Sequence, residues 1–130
     1  RANLEPRVNE AQGKVLAKAF WKLVKHYNLT RAEQAFLLGM PSTRRIQQLE
    51  ERIEIPLEAD KFARVGNLLG IHKNLRIIFP ENKEVIYSWL KTPRPEFNNK
   101  SALEWMEEDE INSFQRLYSV RRILDQQRVT

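Results

Sequence analysis

"TRAEQAFLLGMPSTRRIQQL", Thr30 to Leu49, carries two helix signals with a break between them. Thr30-Arg31-Ala32-Glu33 is the pattern of a capping box, in which a hydroxyl and a carboxylate each satisfy a backbone N–H left free at a helix start. Gly39 ends the helix so opened, because a left-handed residue after the last turn costs glycine little. Ser42 is expected to cap the next helix, whose apolar positions Ile46, Leu49 and Ile53 recur at helical spacing before Pro56 ends it. Two short helices joined by Gly-Met-Pro make an all-α reading the starting expectation.

The rest of the chain agrees, since strand-like alternation is almost absent and only 4 Gly occur in 130 residues. Upstream, Val15, Leu16, Ala19, Phe20, Leu23, Val24 and Tyr27 mark the inner face of a helix from Ala11, with Lys14, Lys18, Lys22 and Lys25 opposite. Residues 1–10 are polar without a period and read as a flexible tail. Downstream, a long helix is expected over 58–78 with Phe62, Val65, Leu68, Leu69, Leu75 and Phe79 inward. Gly66 and Gly70 on it would let another helix cross closely.

Pro80 breaks the chain, and a short helix from Glu81 or Asn82 carries Val85, Ile86, Trp89 and Leu90. "KTPRPEFNNK", Lys91 to Lys100, reads as a loop. Ser101-Ala102-Leu103-Glu104 is a second capping box, and a last helix is expected over 109–127 with Ile111, Phe114, Leu117, Val120 and Leu124 inward. Trp89 reads as core, whereas Trp21, Trp105 and Met106 are candidate partner contacts, because aromatic anchors concentrate in interfaces.

The 22 basic and 17 acidic residues give a net charge of +5. Residues 1–55 carry 10 Lys and Arg against 6 Asp and Glu, while residues 101–130 carry 4 against 6. A basic front suits an approach to phosphate, and an acidic tail suits some other partner. There is no Cys, which removes disulfides, thiolate nucleophiles and the usual zinc ligands. No apolar run is long enough to span a bilayer, so a cytoplasmic protein without membrane contact is expected.

The pair of helices around Gly39 has the dimensions of a helix-turn-helix, with small Ala35 letting the two approach. Ser42, Thr43, Arg44, Arg45, Gln47 and Gln48 are then the candidate DNA-binding residues. Arg matches guanine O6 and N7, Gln matches adenine N6 and N7, and hydroxyls hold phosphates. From Gly39 to Ile46 the turn is one residue longer than the common pattern. Enzyme chemistry finds no such support: His26 and His72 lie far apart, no Gly-rich phosphate loop occurs, and the acids Glu107 to Glu110 suit a helix start. No catalytic residue, metal site or cofactor is expected.

The stretches "NLLGIHKNLRIIFPENKEVIYSWLKTPRPEFNNKSALEWM" (Asn67 to Met106) and "YSVRRILDQQR" (Tyr118 to Arg128) make the chain resemble the Xre/MbcA/ParS antitoxin family over about residues 15–128. The features are the Leu-Leu-Gly-Ile helix, the Phe-Pro-Glu-Asn break, the Trp-Leu segment, the Asn-containing loop before Ser-Ala-Leu-Glu-Trp-Met, and the closing Val-Arg-Arg-Ile-Leu-Asp. Family members often have Gly in that loop, where this chain has Asn98-Asn99-Lys100.

The resemblance implies a helix-turn-helix DNA-binding domain over 11–55, packed with a small helical toxin-binding domain over 56–130. It implies a non-catalytic bacterial antitoxin, active as a homodimer, that represses its own operon at operator DNA. It further implies occlusion of a co-encoded toxin of the RES-domain or ADP-ribosyltransferase-like, NAD-targeting kind. The toxin-facing residues so implied are Trp105, Met106, Arg116, Tyr118, Arg121, Arg122, Asp125, Gln126 and Arg128. A stand-alone transcriptional regulator, its C-terminal helices serving only to dimerise, is the alternative.

Overall fold

The computed structural model describes residues 9–128, and among these the chain is all-α, with seven α-helices and no strand. Most of the expected 1–10 tail, residues 1–8, lies outside the described residues. No helix among them is long and apolar enough to cross a membrane. The chain divides into two compact units, Arg1–Gly66 and Asn67–Thr130.

The first unit holds α1 (Glu10–His26), α2 (Arg31–Leu38), α3 (Ile46–Arg52) and the opening turns of α4 (Ala59–Ile78). The Thr30 capping box is formed: Thr30 Oγ1 accepts from Glu33 N at 3.1 Å, and Glu33 Oε1 accepts from Thr30 N at 2.8 Å. Phe20, Leu38 and Ile46 are completely buried, each contributing about 1.5–3 kcal/mol of hydrophobic stabilisation. Val15, expected inward, is 69% exposed, because α1 is turned to bury the larger Trp21 instead. The Trp21 indole meets Phe20 edge-on and donates its Nε1–H to the Glu54 carbonyl at 2.8 Å. It is a core residue, which corrects its reading as a partner contact.

All three helices of this unit end in one motif. After α2, Gly39 N donates to Phe36 O and Met40 N to Ala35 O, with Gly39 left-handed at φ 69°. The same bond pair closes α1 around Asn28 and α3 around Ile53, each at φ 53°. These are Schellman turns, which favour Gly and then Asn at the left-handed position. Ile53 is the misfit, and its side chain is half-exposed where the periodicity expects it in the core. Ile55 is buried in its stead.

α3 starts later than expected. Ser42 does not cap it: the Ser42 hydroxyl accepts from Arg44 N at 3.4 Å, a local turn that competes with helix. The Ile46 N to Thr43 O bond then closes one tight turn, and Arg45 occupies the cap position with no side-chain bond.

The second unit contains the remainder of α4 from Asn67, α5 (Lys83–Ser88), 3-10 turns at Trp89–Lys91 and Pro95–Phe97, α6 (Ala102–Glu107) and α7 (Ser113–Gln127). Trp89, Leu90, Phe97, Leu103, Met106, Leu117 and Leu124 fill its core together with Ile71 and Leu75. Trp89 packs edge-on to Phe97 and Phe97 against Trp105, with ring centroids 6.1 and 5.4 Å apart. The loop expected at 91–100 is thus ordered around Phe97, and Arg94 pairs with Lys100 across it. Asn98 and Asn99 are consecutive left-handed residues at φ 58° and 63°. Asn tolerates that region better than most other side chains.

The last helix is shorter than expected, beginning at Ser113. Asp109 accepts from Asn112 N at 3.2 Å and from Asn112 Nδ2 at 2.9 Å, so residues 109–112 form a turn. Ile111, expected in the core, sits at its tip with 94% of its surface exposed.

Candidate functional site

In the first unit the six candidate DNA-binding residues, Ser42, Thr43, Arg44, Arg45, Gln47 and Gln48, are all exposed. Only the two glutamines are helical; Ser42 to Arg45 lie in the turn that precedes α3. Gln47 Nε2 reaches Glu51 Oε2 at 3.3 Å, and Arg31 pairs with Glu50 at 2.6 Å. The acidic far end of α3 is therefore partly compensated from α2. Lys61 from α4 donates to the Gly39 carbonyl at 3.1 Å, tying the turn down at its start. Arg64 lies over Gly39, where a Cβ would come within 2.5 Å of its Nε. Burial is the main cause that lowers the Arg64 guanidinium pKa, and Asp60 nearby opposes it.

In the second unit the nine candidate residues fall into three groups. Met106 is completely buried, because the inner face of the short α6 is Ala102, Leu103 and Met106. In this conformation it is core and not a partner contact, which corrects its reading. Trp105 and Arg116 form a second group: the guanidinium lies 4.5 Å from the indole centroid, and Arg116 Nη1 donates to the Trp105 carbonyl at 2.6 Å. Arg116 is also 3.7 Å from Glu108 and 3.9 Å from Asp109. Glu108 further pairs with Lys100. Most of this group's polar capacity is spent on joining α6 to α7.

The third group is a face of α7. Tyr118 is 47% exposed, and the Arg122 guanidinium lies 5.9 Å from the centre of its ring. Gln126 is exposed in the next turn. Beside them runs a row that the sequence reading missed in part, because its anchors are on α4. Arg121 Nη1 donates to Asn67 Oδ1 at 3.3 Å; Asn74 Nδ2 donates to Asp125 Oδ1 at 2.7 Å; Arg128 Nη1 donates to Asn74 Oδ1 at 2.8 Å. Asn67 and Asn74 are buried, and buried amides need such partners. Two asparagines one helical heptad apart on an otherwise apolar face were the available signal.

Gly70 belongs to the same row. A Cβ there would lie 2.4 Å from Arg121 Nε, so the glycine makes room for a side chain of α7. Gly66 has open space around it, so the expected close crossing involves one glycine of the pair.

The carboxyls that start these helices are ionised more readily than usual. Glu104 is held below the ordinary value first by the backbone N–H of Ser101 and then by its hydroxyl. Asp109 is lowered first by the side-chain amide of Asn112 and then by its backbone N–H. Among the described residues no three His, Cys, Asp or Glu side chains are grouped to hold a metal.

A protein of Sinorhizobium fredii (strain NBRC 101917 / NGR234), y4oB, described as uncharacterized, is 29% identical over 123 residues, covering 95% of this chain and 92% of the relative. The chain is similar to it over nearly its whole length. A family model, that of the antitoxin Xre/MbcA/ParS C-terminal toxin-binding domain, matches residues 74–128, from the buried Asn74 through the end of α7.

Proposed function

We propose that this chain is an antitoxin that neutralises a co-encoded toxin by covering its active site with the outer face of α7. The observation that carries the reading is the match of residues 74–128 to a toxin-binding domain. The geometry supports it. Tyr118, Arg122 and Gln126 are presented on a helix whose neighbouring row, Arg121, Asp125 and Arg128, is fastened to α4. A stacked tyrosine and arginine on a fixed helix lose little side-chain freedom on binding, and both types are over-represented among residues that dominate interfaces.

The toxin is of the NAD-targeting kind, RES-domain or ADP-ribosyltransferase-like. An arginine of the α7 face then meets the place of the ligand's phosphates or a catalytic glutamate. The chain itself is not a catalyst and needs no cofactor.

The first unit represses the operon as a helix-turn-helix. Gln47 and Gln48 read bases from the start of α3, while Ser42, Thr43, Arg44 and Arg45 serve the phosphates from the turn. The test is co-expression with the product of the adjacent reading frame. The wild-type chain should co-purify with that product and restore growth. Tyr118→Ala with Arg122→Glu should lose both while still binding operator DNA. Absence of rescue and of any complex with wild type would overturn the reading, and a chain that binds the operator with no effect of its neighbour would be a stand-alone regulator.

A further inference from the structure

A cleft of about 690 Å³ opens in the first unit, between the start of α1 and the end of α3. Its floor is apolar, with Leu49, Ile53 and Leu57, and its rim carries Lys14, Lys18, Arg45 and Arg52. Glu10 and Glu54 also line it, so the rim has a cationic excess without being uniformly basic. Ile53 is 53% exposed at this site and is held left-handed, in a conformation that a β-branched residue seldom adopts. A strained backbone that presents an apolar side chain to solvent is a feature found at binding sites.

The lining specifies the occupant's chemistry. Duplex DNA would satisfy the cations but offers nothing to cover Leu49, Ile53 and Leu57. The fit is to a peptide that carries carboxylates beside a large aliphatic side chain. This chain contains such a segment: Ile111 projects from the turn before α7 with 94% exposure, next to exposed Glu110. Glu108 and Asp109 are engaged with Lys100, Arg116 and Asn112, so the outward pair is Glu110 and Ile111. An exposed apolar side chain at an acidic tip and an apolar floor with a basic rim are complementary in both terms that decide recognition, burial and charge.

We infer that the cleft receives the Glu110–Ile111 turn of a second copy of the chain. The contact is independent of the toxin reading, and its test reads self-association alone. Sedimentation equilibrium of the full chain is compared for wild type, for Lys14→Glu with Lys18→Glu, and for Glu110→Lys with Ile111→Ser, with circular dichroism confirming the helices in each. Ile111→Ser alone, at an exposed tip, guards against loss of folding. Wild type should associate as concentration rises, and more weakly at high salt, since the charge contribution is screened.

Each charge variant should associate at least about tenfold more weakly, a change of about 1.4 kcal/mol. Mixing the two should restore a one-to-one heterodimer, because the intact turn of one meets the intact cleft of the other. Wild type that stays monomeric at every concentration overturns the inference. So does a turn variant or a cleft variant that associates like wild type.

Discussion

At the scale of single residues, Ile53 shows the clearest conflict between local chemistry and fold. It closes α3 in a left-handed turn that Asn28 and Gly39 close in α1 and α2. A β-carbon in that region costs roughly 1–2 kcal/mol. Ile53→Gly should therefore raise unfolding stability by about 1 kcal/mol in urea titration, although it removes an apolar side chain. Unchanged or lower stability would mean that the half-exposed side chain packs better than its exposure implies. Asn74 predicts the opposite sign. It is 1% exposed and bonded to both Asp125 and Arg128, so Asn74→Ala should destabilise by about 1–3 kcal/mol. Under the proposed antitoxin role, part of that loss should reappear as weaker binding of the co-encoded product, read by calorimetry, because the row beside Tyr118 and Arg122 loses its anchor. The left-handed Gly39 was legible in the sequence; the left-handed Ile53 was not, because the fold overrides what an isoleucine prefers. The spacing of Asn74 from Asn67 marked it as unusual, but its partners, 51 and 54 residues away, were hidden, because no local pattern connects them.

At the scale of elements, both capping boxes read from the sequence are formed, at Thr30 and at Ser101. Thr30→Ala and Ser101→Ala should each cost about 1 kcal/mol. The starts of α3 and α7 were misread for a common reason: a polar side chain that can cap a helix can also close a turn ahead of it. Ser42 turns on Arg44, and Asp109 turns on Asn112, and each delays its helix. The carboxyls of Glu104 and Asp109 are held below the ordinary values of about 4 by the donors at these helix starts. Both are bound more tightly as anions in the fold, so their contribution is present above about pH 4 and is lost as pH falls through the lowered values. Glu104→Gln with Asp109→Asn should therefore flatten the fall in thermal midpoint between about pH 5 and 2, relative to wild type. An equally steep fall in the variant would place the acid sensitivity elsewhere.

At the scale of the molecule, the all-α fold was legible throughout, because helical periodicity and capping signals agree along most of the chain. The division of the chain was less so. Pro56 punctuates the sequence, yet the first unit extends to Gly66, within α4, because Val65 is buried and Lys61 and Arg64 reach back to Gly39. Met106, expected among the toxin contacts, is buried in the core, since a six-residue helix gives too few turns to separate inner from outer positions. In the proposed antitoxin role, α7 carries an inhibitory surface for a neighbouring gene's product. The most direct test of that proposal is to purify the product and follow the NAD consumption proposed for it as this chain is titrated in. The account predicts that activity falls to background at a fixed stoichiometric ratio and persists when Tyr118→Ala with Arg122→Glu replaces wild type; activity that survives excess wild-type chain would contradict it.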